Sequence, residues 1–147
     1  MDNQAWTERL HKEIPITKAI GIDVAELSTQ NIKVSAPLAN NINVHQTAFA
    51  GSIYTVGIVA GWTLLSSYLR TININATVVA SKADIQYKRP IASDIVATCE
   101  FTEKAPETIW LPLFAQKKPA RHPLSIQFYN NETLLAHLHA TFYIKPQ

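Results

Sequence analysis

The sequence predicts one α+β domain in which an antiparallel sheet wraps around a single long helix. Two observations carry this expectation. No Asp, Glu, Lys or Arg occurs between Lys33 and Arg70, and the segments after that run alternate apolar and polar residues with a period of two. The chain has 147 residues, 47% of them hydrophobic and 16% charged, enough apolar side chain to fill one core and too little charge for global disorder. Residues 1–147 therefore read as a single domain, without repeat or low-complexity linker.

Ala5 to Ile14 has Trp6, Leu10 and Ile14 at spacing four, with Glu8, Lys12 and Glu13 on other faces, which predicts a short amphipathic helix. Pro15 ends it or starts a new turn. Ile22–Leu27 and Ile32–Ala36 read as short strands joined by the polar turn Ser28-Thr29-Gln30-Asn31, and Pro37 closes the hairpin. A loop rich in amides follows, from Leu38 to Thr47.

Ala50 to Leu69 is the predicted central helix. A segment this long without charge is either a membrane span or a helix buried on all sides. Ser52, Tyr54, Thr55, Thr63, Ser66 and Ser67 make it too polar for a span, so burial is expected. Gly57 and Gly61, four apart, lie on one face and let a sheet or second helix come close. Thr77–Arg89 then alternates, with Thr77, Val79, Ser81, Ala83, Ile85 and Tyr87 on one face and Lys82, Asp84, Gln86 and Lys88 on the other. Ile95–Thr102 is the next strand and Glu107–Gln116 a short helix interrupted or started near Pro112. Leu124–Asn130 and Thr133–Ile144 form a hairpin turning at Asn130-Asn131, with Leu134, Ala136, Leu138, Ala140, Phe142 and Ile144 facing inward.

Charge and cysteine content narrow the function classes. The surplus of +2 is spread without a basic run, which argues against nucleic acid. Cys99 is the only cysteine, so no internal disulfide forms, and the N-terminus lacks the basic and apolar stretches of a signal peptide; both suit the cytoplasm. His137 and His139 share one side of the last strand, but a third ligand is not evident, so no metal is expected.

The segment Pro37-Leu38, Asn41-Ile42-Asn43 and Thr47-Ala48-Phe49-Ala50-Gly51-Ser52-Ile53-Tyr54, continued by Ala60-Gly61-Trp62, resembles the YiiD C-terminal, thioesterase-like family of hot-dog domains. The strand Ala83-Asp84-Ile85-Gln86-Tyr87-Lys88-Arg89-Pro90 is similar to the one that follows the central helix in many acyl-thioesterases. The resemblance implies a hot-dog fold and a homodimer with sites at the subunit interface. It also implies an acyl thioester substrate on acyl carrier protein or coenzyme A, whose pantetheine arm is part of the substrate, with no separate cofactor. The same domain type is linked to decarboxylation of malonyl-acyl carrier protein, which supplies the acetyl primer for fatty-acid synthesis.

Many hot-dog thioesterases carry an Asp or Glu in the central helix. Alignment of Phe49-Ala50-Gly51 with the usual His-Gly-Gly puts Ile58 at that position, and the helix holds no acid at all. Glu26 and Asp84 are the nearest alternatives in sequence. Decarboxylation needs no activated water: the site holds the thioester carbonyl, stabilises the enolate oxygen and keeps the carboxylate poorly solvated. Asn43 and Thr47 are therefore the expected catalytic pair, with Asn41, His45, Gly51 and Ser52 around the oxyanion and substrate. Asn43 could equally be a turn former, Thr47 a helix cap, and His45 a solvated loop residue. Lys82, Lys88 and Arg89, together with Arg70, are candidates for the phosphate of a pantetheine arm or for an acidic carrier. Two alternatives stay open beside decarboxylation: an acyl-thioester hydrolase that recruits an acid from elsewhere, and a non-catalytic acyl-binding dimer. No nucleic-acid or membrane partner is expected.

Overall fold

In a computed structural model, which describes residues 2–147, six strands form one antiparallel sheet in the order β1-β2-β4-β5-β6-β3. Helix α1 (Asn3–Glu13) is capped by the Asp2 carboxylate, which accepts from the Ala5 N–H at 3.1 Å, and it buries Trp6 and Leu10 as the periodicity predicts. Pro15 starts a second short helix, α2 (Ile16–Ile20), that the sequence left open. Gly21 ends α2 with φ 78°, a left-handed conformation, and a Cβ there would meet Pro37 Cδ at 2.9 Å.

Strands β1 (Asp23–Leu27) and β2 (Asn31–Ala36) form the predicted hairpin, and the Ser28 hydroxyl accepts from the N–H groups of Gln30 and Asn31 in its turn. The chain then runs through a single 3-10 turn, Leu38–Asn40, into α3 (Ala50–Thr71), and returns as β3 (Ala76–Tyr87) at the far edge. Strand β4 (Ile95–Glu100) lies beside β2, followed by helix α4 (Glu107–Ala115) and the hairpin β5 (Ala120–Asn130) and β6 (Thr133–Pro146).

The central helix is enclosed because both layers are apolar where they meet. Val56, Ala60, Leu64 and Leu65 are fully buried against Ile126, Phe128, Leu138, Phe142 and Ile144. A Cβ on Gly57 would meet Leu138 and Phe128 side-chain atoms at 2.8 and 2.9 Å, and one on Gly61 would meet the Phe142 ring at 2.8 Å. Helix and sheet approach closely only because these two positions lack side chains. Although α3 is long and apolar enough to cross a membrane, it is instead the core of this domain.

Three strands depart from expectation, and in β6 a register shift opposite Phe128 and Tyr129 buries Leu135 and leaves Leu134, expected inward, only half-buried. In β3, the register slips between Ala80 and Lys82, a β-bulge that reverses the alternation. Val78 and Ala80 lie opposite Ile144 and Phe142, so the inward set before the bulge is even-numbered. Thr77 and Val79 are exposed, and only Ala83, Ile85 and Tyr87 keep the predicted face. Strand β5 starts at Ala120 rather than Leu124 and contains Pro123. The β4 pairing spans only Cys99–Ala97 against Ile126–Phe128, so at Pro123 one side of β5 is open and a proline is tolerated.

The far end of α3 is closed by an aromatic and polar cluster. Tyr68, Phe101, Trp110 and His122 meet edge to face at centroid distances of 5.2–6.5 Å. The Trp110 indole N–H donates to His122 Nδ1 at 3.1 Å, and His122 Nε2 lies 3.3 Å from Glu103 Oε1. The Tyr68 hydroxyl donates to the Glu107 carboxylate and ties α4 to α3. Burial lowers the His122 pKa from its ordinary value, against the smaller opposing effect of Glu103.

These contacts give two expected outcomes. Gly61→Val forces the Phe142 ring aside and should destabilise the fold by about 3 kcal/mol, a fall of roughly 10 °C in Tm. Phe142→Leu should recover part of that loss in a double-mutant cycle. Because the folded-state pKa of His122 is depressed, its contribution is intact above the unfolded value of about 6.5 and is lost as pH falls below it. His122→Gln can still accept from Trp110 and donate to Glu103 but cannot titrate. Thermal unfolding as a function of pH should show a shallower acid-side decline in His122→Gln than in the parent.

Candidate functional site

The amide-rich loop before α3 is organised by Asn43. Its Oδ1 accepts from the N–H groups of His45 and Thr47 at 2.8 and 3.2 Å, an Asx-turn that reverses the chain. Its Nδ2 donates to Thr47 Oγ1 at 2.9 Å and to the Ala48 carbonyl at 3.3 Å. The backbone of Asn43 and Thr47 closes the same turn, with N···O 2.7 Å. Thr47 Oγ1 therefore accepts from Asn43, and its own proton has no protein acceptor among the described residues.

Helix α3 begins directly after this turn, with Phe49 at its N-cap and no side-chain cap. The N–H groups of Ser52 and Ile53 both reach the Phe49 carbonyl, whereas those of Ala50 and Gly51 have no backbone partner. Thr47 is thus not a helix cap. The turn, the first turn of α3 and the end of β3 enclose a cleft of about 320 Å³ lined by Asn43, Thr47, Ala48, Ala50, Ile53, Tyr87, Lys88, Arg89, Pro90 and Ile91. Its volume is at the small end for ligand sites. Ile53, Ala48 and Ile91 form buried apolar walls, Thr47 supplies a hydroxyl, and Lys88 and Arg89 are the only charged lining residues.

Of the residues expected from sequence, Asn43, Thr47, Lys88 and Arg89 come together here. Asn41 is buried, and its amide donates to the Ile20 and Pro37 carbonyls at 2.9 and 2.8 Å, so both donors hold the loop to α2. His45 is exposed at the tip of the turn, beside Val44, which is 88% exposed. Gly51 lies under the Phe49 ring, and Ser52 is half-buried; neither lines the cleft. Lys82 parts from Lys88 and Arg89: it lies on the outer sheet face, about 20 Å along the strand from Lys88. Arg70 is at the opposite end of α3, over the Trp6 ring.

Tyr87 carries no role in the sequence reading, yet its hydroxyl donates to the Ala50 carbonyl at 2.8 Å and pins the end of β3 to the start of α3. Burial, and secondarily Tyr54, raises its pKa. The only signal for it was its inward position in the alternation after Ala83.

No acid reaches the cleft. Ile58 packs partly against the core. Glu26 pairs loosely with Lys33 at 3.9 Å, and Asp84 lies opposite His139 on the outer face. That outer face holds a row of Asp84, His139 and Ser125, in which Ser125 Oγ is 2.8 Å from His139 Nδ1. Asp84 makes no hydrogen bond to the ring, so the row lacks the orientation of a serine nucleophile. Among the described residues, no group of three His, Cys, Asp or Glu is placed to hold a metal. Burial pushes the Cys99 thiol up to about 12, which leaves it inert.

The family model described as "Putative thioesterase (yiiD_Cterm)" matches residues 3–146. The chain belongs to this family. Among solved structures, it is similar to a thioesterase-labelled protein from Shewanella oneidensis, with 27% identity and TM-score 0.85 over 98% of this chain and 97% of that one. A protein from Chlorobaculum tepidum gives TM-score 0.91 at 23% identity, over 99% of this chain and 94% of that one. A Pseudomonas aeruginosa protein described as a probable thioesterase gives 0.84 at 15%, over 98% and 96%. The architecture shared with these neighbours is the hot-dog fold.

If Asn43 organises the turn, Asn43→Ala should unlock it. Amide hydrogen exchange at His45 and Thr47 should accelerate, with a stability loss of about 1–3 kcal/mol. Thr47→Val should leave those amides protected.

Proposed function

We propose that this member of the YiiD C-terminal family decarboxylates a malonyl thioester to an acetyl thioester, with acyl carrier protein as the carrier. The observation that carries this reading is the charge of the cleft: a threonine hydroxyl, an unpaired helix N–H and two cations, with no carboxylate. A malonyl group brings its own negative charge, which Lys88 and Arg89 balance and which an acid in the helix would repel. The bond between the malonyl carboxylate and the α-carbon breaks and carbon dioxide leaves. The electron pair moves onto the thioester carbonyl as an enolate, and the α-carbon then takes a proton from solvent. In this reading the Thr47 hydroxyl and the Ala50 N–H donate to the enolate oxygen. Both amide hydrogens of Asn43 are engaged, so Asn43 acts as a positioning residue for Thr47 rather than as a direct donor. Lys88 and Arg89 serve the carboxylate or the phosphate of the pantetheine arm.

The active form in this reading is a cytoplasmic homodimer. Edge strand β3 exposes its outer side over twelve residues, and Phe49, Tyr54, Val79 and Tyr87 leave apolar surface uncovered beside it and the cleft. The family description favours hydrolysis as the second reading. A hydrolase with this cleft would need its acid or its activated water from across the dimer.

Incubation of the protein with malonyl- and acetyl-carrier protein, read by mass spectrometry, separates these readings. Acetyl-carrier protein from the malonyl form is the expected product; free carrier thiol from either substrate would establish hydrolysis instead. Binding without turnover would leave an acyl-binding protein. Thr47→Val should lower kcat by about 100-fold and Thr47→Ser should restore it, in line with loss and return of one oxyanion donor. Arg89→Ala should raise KM with a smaller effect on kcat.

A further inference from the structure

Helix α4 is the most apolar helix of the protein, yet it buries only Trp110 completely. Its outward side is centred on Thr108, Pro112 and Ala115, and Ile109 and Leu111, about 200° apart around the helix, flank it on either side, each nearly half exposed at 48% and 47%. No charge interrupts this surface. The two carboxylates of the segment turn inward: Glu107 accepts from Tyr68, and Glu103 faces His122. Three cations, Lys104, Lys117 and Lys118, flank the helix at its two ends, all exposed and none joined to a carboxylate among the described residues. Acidic groups are thus drawn into the fold, while the apolar ridge and the cations are left outside.

We infer that α4 is a docking element for an anionic lipid surface, with Ile109 and Leu111 entering the boundary between headgroups and acyl chains and the three lysines meeting the headgroups. Apolar residues on a helix face, bordered by lysines, form the pattern by which helices lie on membranes. The alternatives fit less well. A second copy meeting this ridge across a two-fold axis would bring lysines against lysines, with the α4 carboxylate, Glu107, already engaged by Tyr68. A small ligand needs a concavity, and neither the outer-face clefts nor the cleft at the start of α3 includes an α4 residue. Trp110, held by His122 and the aromatic cluster, fixes the ridge to the domain, so docking requires no unfolding. Tyr68, which holds α4, is eighteen residues beyond Ala50, about 27 Å along α3. The docking end and the cleft therefore lie at opposite ends of the helix, and a membrane-bound molecule keeps its cleft open to a soluble carrier. This inference departs from the expectation of no membrane partner. It does not depend on the chemistry proposed for the cleft.

The test is co-sedimentation of the whole protein with vesicles of phosphatidylcholine containing phosphatidylglycerol, and with phosphatidylcholine alone. Binding is expected to the anionic vesicles only, falling as salt is raised, because exposed charges are screened. Lys117→Ala and Lys118→Ala should each lower the partition coefficient about fivefold, the effect of one cation near such a surface. The double variant Ile109→Ser, Leu111→Ser should abolish binding while circular dichroism and Tm stay unchanged, since both residues are exposed. Three outcomes would overturn the inference: parent protein that stays in the supernatant with both vesicle types, binding that survives the serine variant, or a higher oligomer of the parent that the serine variant dissociates. The last would place α4 between copies of the chain.

Discussion

Everything in this domain depends on bringing a sheet within side-chain contact of a helix that has no polar face to spare. Gly57 and Gly61 make that approach possible, because Leu138, Phe128 and Phe142 occupy the space their side chains would fill. The close approach dictates the composition of the rest of α3. A charge anywhere on its buried turns would lie against Ile126 or Phe142 without water or a partner, at a cost of several kcal/mol. The polar residues that remain solve the problem locally: the Ser67 and Thr71 hydroxyls donate back to the Leu64 and Ser67 carbonyls in the preceding turn.

Helix α3 is buried over most of its surface, with a partly exposed stripe through Thr55, Ile58, Trp62 and Ser66, and its two ends are treated differently. At the C-terminal end, Tyr68 donates to Glu107 and Trp110 to His122, and these side chains seal the core, while His122 Nε2 and Glu103 Oε1 face each other at 3.3 Å without a hydrogen bond. At the N-terminal end no side chain caps the helix, and the Ala50 and Gly51 N–H groups stay unpaired. The neighbouring turn has its hydrogen bonds arranged around Asn43, which leaves the Thr47 proton as a spare donor. The positive end of the macrodipole is thus available to an anion.

This division explains what could be read from the sequence. The uncharged run and the alternation after it determine the helix, the strands and their layer arrangement, because those features follow from burial alone. The bulge at Ser81 was not legible: Thr77 to Tyr87 keeps a formal alternation, and nothing in Val78-Val79-Ala80 says which valine faces the helix. The phase is decided by pairing with Ile144 and Phe142, which is a tertiary contact. The site shows the same limit. Residue type picked out Asn43 and Thr47, but not that Asn43 spends both amide hydrogens on the turn, nor that Asn41 does the same toward Ile20 and Pro37. Lys82 and Lys88 share a strand face on paper, and the distance along the strand separates them.

The missing acid at Ile58 ties the fold to the chemistry. Ile58 is half-buried and packs against the core, one turn beyond the cleft-lining Ile53 and directly after Gly57. A carboxylate at that position would need a hydrogen-bonding partner or water on its exposed side and would give up the packing that Ile58 makes against the core. A hydrolase meets that need because the water it activates also solvates the acid. A site that lacks the acid gains packing there and gives up the means to order a nucleophilic water. What it keeps is a positive potential from Lys88, Arg89 and the helix terminus, acting in a small cleft with dry walls. Such a site suits negative charge that develops on a carbonyl oxygen, and under the decarboxylation proposed above the substrate supplies its own leaving carboxylate.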